Sequence, residues 1–198
     1  MKLQPRALLF DMDGVLIDTV DIWLKALNTS LTNHHYPPIS QDEFIQSYWG
    51  HDLRDTLYMM DIPPLIVDEC STIYSTLIQH VRLYPSTRPI LTQLSSYPKA
   101  IITNTARYIT NQIIEHFQLD SFFTAIVTGD MVQKAKPDPA IIYHACELLK
   151  ITPDQAIFIG DTASDIIAGR AAGCTVIGLN IEADYQISDL SELSFLLL

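Results

Sequence analysis

Basic side chains are scarce in this chain. Lysine and arginine number 12 against 23 aspartates and glutamates, giving a formal net charge of −11 over 198 residues and a pI near 4.7. Nucleic-acid affinity rests largely on basic surface, so no nucleic-acid partner is expected. The same balance offers no long-range attraction to a phosphorylated ligand, which would need a local cation and local donors. Cysteine is sparse too. Cys70, Cys146 and Cys174 are scattered, odd in number and not spaced as metal ligands. Free thiols in a reducing compartment suit that pattern, and the expected location is cytoplasmic. No apolar run reaches transmembrane length and no signal-peptide pattern precedes the first strand, so no membrane partner is expected. Walker-type Gly-Lys-Ser/Thr, Gly-x-Gly-x-x-Gly and Ser-His-Asp arrangements are missing as well.

What is present begins at Ala7. The apolar run Ala7–Phe10 meets Asp11-Met12-Asp13-Gly14, then Val15 and Leu16. The run reads as a buried strand, and Gly14 allows a sharp turn. Side chains alternate along a strand, so Asp11 and Asp13 share a side if the extended geometry continues. Two carboxylates so close are best tolerated around a hard divalent cation, and Mg²⁺ is the natural candidate. Alone, the stretch reads equally well as a strand followed by an Asp-Gly turn.

A content of 48% hydrophobic residues is enough for a sizeable core. Periodicity then divides the chain. Val20, Trp23, Leu24, Leu27 and Leu31 recur at helical spacing and predict a helix over 18–33. Short helices are predicted over 41–48 and 52–60, and a longer one carries Ile66, Cys70, Ile73, Leu77 and Val81 on one face. No strand is expected between 17 and 83. After Tyr84-Pro85, strand-like runs at 99–103, 125–128, 156–159 and 174–179 alternate with helical patterns. That alternation predicts an α/β fold, a parallel sheet with helices on both faces. The α/β core would comprise residues 1–16 and 84–198. A helical cap domain, 17–83, would sit over the carboxyl end of the sheet, where such folds bind ligands.

The residues following each strand should meet at that end. They are Asp11 and Asp13, Thr103 and Asn104, Gly129 and Asp130, and Asp161 with Asp165, joined by Lys134 and Lys136. Carboxylates around Mg²⁺ facing a hydroxyl and a lysine suit phosphoryl transfer, where positioning and charge stabilisation dominate.

These residues resemble the motifs of the haloacid dehalogenase superfamily, in the phosphoglycolate phosphatase and β-phosphoglucomutase-like branch with a small helical cap. Asp11-Met12-Asp13-Gly14-Val15-Leu16, Ile102-Thr103-Asn104, Lys136-Pro137-Asp138-Pro139 and Gly160-Asp161-Thr162-Ala163-Ser164-Asp165 resemble its four motifs, in order. The resemblance implies a Rossmann-like core and a Mg²⁺-dependent phosphatase acting on a small phosphorylated metabolite, as a monomer or weak dimer. It implies Asp11 as nucleophile, forming an aspartyl-phosphate, and Asp13 as general acid and then base. Mg²⁺ would be held by Asp11, the Asp13 main-chain carbonyl and Asp161. Asp165 would steady a metal-bound water or Lys136. Thr103, Asn104 and Lys136 would hold the phosphoryl group; Lys134 is the competing lysine. His51 and Arg54, in the cap loop Trp49–Arg54, are candidates for choosing the substrate. Trp23 stands where mutase members carry a histidine, which argues for a hydrolase over a sugar-phosphate mutase. A non-catalytic binding domain is the remaining alternative, and the complete acid set with Lys136 speaks against it. Trp23 and Trp49 are expected as packing or as site walls.

Overall fold

The structure, a computed structural model, describes residues 2–198. The chain runs β1 (Ala7–Phe10), β2 (Ile17–Asp18), α1 (Val20–Asn33), α2 (Gln41–Ser47), α3 (Leu53–Met59), α4 (Val67–Leu77) and β3 (Arg82–Leu83). It continues α5 (Thr87–Gln93), β4 (Lys99–Thr103), α6 (Arg107–His116), β5 (Ala125–Thr128), α7 (Ala140–Leu149) and β6 (Ala156–Gly160). It ends α8 (Ala163–Ala172), β7 (Thr175–Leu179), β8 (Tyr185–Ile187) and α9 (Leu193–Leu197).

Six strands form one parallel sheet in the order β5-β4-β1-β6-β7-β8. The fold is Rossmann-like α/β. Its first strand lies inside the sheet, and all four residues of β1 are buried. Alternation sends Leu8 and Phe10 to one face, with Ile90 and Leu91 of α5, Ile109 and Ile113 of α6, and Leu193 of α9. Leu9 goes to the other, with Ile141 and Ala145 of α7 and Ala168 of α8. Each fully buried side chain of this size contributes roughly 1.5–3 kcal/mol relative to exposure. This double-sided burial explains why the core strands read as continuous apolar runs.

The strand order reverses between β1 and β6, and the carboxyl ends of β4, β1 and β6 lie side by side there. Between β2 and β3 the regular elements are helices. Trp23 of α1 stacks on the buried Tyr74 of α4, with centroids 4.1 Å apart and rings tilted by 30°. Leu27 and Leu31 join Ile66 and Cys70 in an apolar cluster continuous with one face of the sheet.

The entry and exit of this insert differ from the expectation of helix throughout 17–83. Ile17 pairs with Leu83 and Asp18 with Arg82, antiparallel. Strands of two residues are too short for alternation to reveal. The long helix expected to reach Val81 stops at Leu77; a 3₁₀ turn, Ile78–His80, follows and Val81 is extended. α5, β8 and α9 had no counterpart in the sequence reading. They span 7, 3 and 5 residues, too few turns or pleats to establish a period. No helix among the described residues is long and apolar enough to cross a membrane.

Candidate active site

The crevice is built outward from β1. The Asp11 amide donates to the Ile159 carbonyl at 2.9 Å, so Asp11 continues the strand pairing into the site. Gly14 then turns the chain at φ +81°, and a Cβ there would lie 2.1 Å from Asp161 Oδ2. Glycine serves both the turn and the close approach of Asp161.

Lys136 is buried and organises the carboxylates. Its Nζ donates to Asp11 Oδ1 and to Asp165 Oδ1, both at 2.7 Å, and to the Ile102 carbonyl at 3.2 Å. Burial alone would lower the lysine's pKa. The charges of Asp11 and Asp165 outweigh it and hold the ammonium above its ordinary range. Asp165 Oδ2 accepts from the Thr162 amide at 3.0 Å and its hydroxyl at 2.6 Å, in a capping box that starts α8. With both oxygens engaged, Asp165 fixes the lysine rather than facing the cavity.

Burial, then repulsion from Asp165, pushes the Asp11 carboxyl well above the usual carboxylate range, against the pull of Lys136. Burial and then Asp165 push Asp161 up to about 7, partly opposed by the Trp49 N–H and by Lys136. One oxygen each of Asp11, Asp161 and Asp165 lies within 4.8 Å of the others. Asp161 Oδ2 accepts from Trp49 Nε1 at 3.1 Å, whereas Oδ1 is buried without a hydrogen-bond partner. An orphaned buried carboxylate oxygen in an all-oxygen cluster fits a hard divalent cation.

Asp13 stands apart from that trio of side chains. Its Oδ1 accepts from Thr19 Oγ1 at 2.7 Å and Trp23 Nε1 at 3.2 Å; its Oδ2 accepts from Thr105 Oγ1 at 2.8 Å and Thr103 Oγ1 at 3.3 Å. Asn104 is a clamp. Its Nδ2 donates to the Lys136 and Gly50 carbonyls at 2.9 and 3.0 Å, and its Oδ1 accepts from the Lys136 amide.

Thus Asp11, Asp13, Thr103, Asn104, Lys136, Asp161 and Asp165 meet in one place. Lys134 is exposed, and Asp130 is engaged by the Arg107 amide at the start of α6 and by Thr128 Oγ1. His51 and Arg54 line the cavity between insert and sheet. Asp52 accepts from the Arg54 amide, capping α3, and the ion pairs of the described residues do not include the Arg54 guanidinium. Sequence reasoning left Thr19 and Thr105 without a role and took both tryptophans as packing or site walls. Thr105 carried a signal: it lies two residues beyond Thr103 and faces the same way. Trp49 carried none, because its acceptor is 112 residues away.

A doubly wound sheet with lysine-bridged carboxylates at its switch point suits chemistry on phosphate esters. The family described as haloacid dehalogenase-like hydrolase matches residues 8–179, and the chain belongs to it. The chain is similar to a protein named pyrophosphatase PpaX from Anoxybacillus flavithermus, 30% identical over 95% of this chain and 94% of the relative. A phosphoglycolate phosphatase of Haemophilus influenzae is 26% identical over 94% and 91%. Among solved structures, CbbY from Rhodobacter sphaeroides in complex with xylulose-1,5-bisphosphate superposes with a TM-score of 0.86 at 20% identity, covering 98% of this chain and all of that one. A haloacid dehalogenase-superfamily hydrolase of subfamily IA from Geobacter sulfurreducens gives 0.81 at 24%, with 98% and 100% covered. These likenesses are of fold.

Proposed function

We propose that the protein is a Mg²⁺-dependent phosphatase that releases phosphate from a small phosphomonoester through an aspartyl-phosphate at Asp11. The observation that carries this reading is the buried Lys136 bridge between Asp11 and Asp165, set beside the unpartnered Asp161 Oδ1. The names of the relatives support the same class.

Lys136 holds Asp11 with Oδ1 committed, so its other oxygen is the nucleophile. Attack forms an Asp11 oxygen–phosphorus bond and breaks the ester bond, and Asp13 gives its proton to the departing alkoxide. Asp13 then takes a proton from water, which attacks phosphorus and frees Asp11. The hydroxyls of Thr19 and Thr105 serve both stages. They donate when Asp13 is ionised and can rotate to accept when it carries a proton. Asp11, Asp161 and the Asp13 main-chain carbonyl would hold Mg²⁺, which supplies positive charge to the phosphoryl oxygens and relieves repulsion between the acids. Thr103 and Lys136 would hold the phosphoryl group, with Asn104 fixing the lysine loop.

Residues 17–83 would act as a cap that moves about the β2–β3 pair and excludes water when shut. His51 and Arg54 are its candidate contacts to the leaving group. Trp23 donates to Asp13 at the position where mutases carry histidine, which favours hydrolysis. The test is phosphate release from a panel of phosphomonoesters. Release with Mg²⁺ and none with EDTA is expected; release indifferent to the metal would refute the proposed cofactor, and none at all the activity.

A further inference from the structure

The cavity over Asp11 holds about 390 Å³, within the range of roughly 300–1,000 Å³ usual for ligands much larger than a phosphate ion. Away from the reacting carboxylates, its insert-side wall is dominated by Trp23, Leu27, Phe44, Tyr48, Trp49 and Val67. Phe44 and Trp49 meet edge to face at 5.8 Å, and Trp23 is braced by Tyr74, so two indoles are held rigidly. Charge on this distal part is unfavourable to anions. Asp52, Asp68 and Asp130 line it against one permanent cation, Arg54. Lys136 sits at the reacting end, against Asp11 and Asp165, and not on this wall. Hydroxyls of Thr56, Ser71 and Thr72 supply neutral polar contacts.

Resting on the phosphatase reading, we infer that the substrate is a phosphomonoester of a neutral alcohol bearing a planar or apolar body, and that esters with a second anionic group are disfavoured. A short acid such as glycolate would leave most of the aromatic wall uncovered and would bring a second anion into a cavity lined by Asp52, Asp68 and Asp130. A second phosphate, as in pyrophosphate, would meet the same field with more charge. Burying a benzyl-sized body against Phe44 and Trp49 stabilises binding by apolar burial and by ring contacts.

The test compares kcat/KM for benzyl phosphate, ethyl phosphate, phosphoglycolate and pyrophosphate, all with Mg²⁺. The first three are alkyl esters, so leaving-group chemistry does not dictate the order. Benzyl phosphate is expected to exceed phosphoglycolate at least tenfold, with ethyl phosphate between them. Phosphoglycolate or pyrophosphate leading, with a tenfold loss in Arg54→Ala, would overturn the inference and leave the phosphatase standing. Asp68→Lys should narrow the benzyl-to-glycolyl ratio several-fold; an unchanged ratio contradicts the charge argument. Failure to release phosphate from any ester would instead sink the phosphatase reading. Calorimetric binding to Asp11→Asn then still reads selectivity, and equal affinity for the benzyl and glycolyl esters refutes the substrate class.

Discussion

Lys136 is the residue on which the site's electrostatics turn. It is buried with two carboxylates, and removing one member of a buried ion pair typically costs about 3–5 kcal/mol because a charge is left unpaired. Lys136→Met should therefore lower unfolding free energy by a similar amount in denaturant titration, as well as abolish activity. A fully stable Lys136→Met protein would mean that the two buried ion pairs contribute nothing net to folding. The acids themselves set a pH dependence. The Asp161 carboxyl moves from 3.8 when unperturbed to about 7 in the fold. Between those values the folded state holds a proton that the unfolded chain has lost, so this group's contribution to stability falls as pH rises through the window. Asp11 is displaced in the same direction. A divalent cation favours the ionised forms. The rise in melting temperature on adding Mg²⁺ should thus be larger near pH 7.5 than near pH 5.5, read by differential scanning fluorimetry; the opposite trend would place the metal elsewhere.

At the scale of the element, α8 shows how local rules build chemistry. Thr162 caps it, Asp165 returns the bond, and Gly173 closes it at φ +90° with open space around the missing Cβ. Gly173→Ala is expected to cost about 1–2 kcal/mol from backbone strain alone and to leave kcat unchanged. Gly14→Ala adds the same kind of strain but drives a methyl into Asp161, so it should cost activity as well as stability. Equal kcat in the two variants would show that Asp161 does not depend on Gly14. The Gly14 turn was legible because its signal is local, Asp-Gly after an apolar run; the Thr162–Asp165 capping box has a local signal too, Thr-x-x-Asp before a helix, but the sequence reading did not use it. The Trp23 and Trp49 contacts were not legible, since an indole in a helical stripe reads as packing until its N–H is placed against a carboxylate. The two-residue β2–β3 pair was invisible for a related reason. Its partners are Ile17 with Leu83 and Asp18 with Arg82, and no sequence period spans that separation.

Across the whole molecule, the insert is joined to the sheet domain by few polar bonds. Thr19 and Trp23 donate to Asp13, Trp49 reaches Asp161, the Gly50 carbonyl takes the Asn104 amide, and Tyr108 OH meets Ser75 Oγ at 2.6 Å and the Ser71 carbonyl at 2.8 Å. Such a seam can open at modest cost, since each hydrogen bond contributes a net of about 0.5–1.5 kcal/mol. Tyr108→Phe should shift the cap toward open, raising KM several-fold more than it lowers kcat and speeding amide exchange across residues 48–54. Unchanged exchange there would argue that apolar packing, continuous between insert and sheet, holds the two together.

The central claim is that Asp11 carries the phosphoryl group. Rapid-quench labelling with a phosphorus-labelled ester tests it most directly. A hydroxylamine-labile phosphoprotein that maps to the peptide containing Asp11, and that is lost in Asp11→Asn, is the expected result. Phosphate release without any labelled protein, or label persisting in Asp11→Asn, would contradict the account.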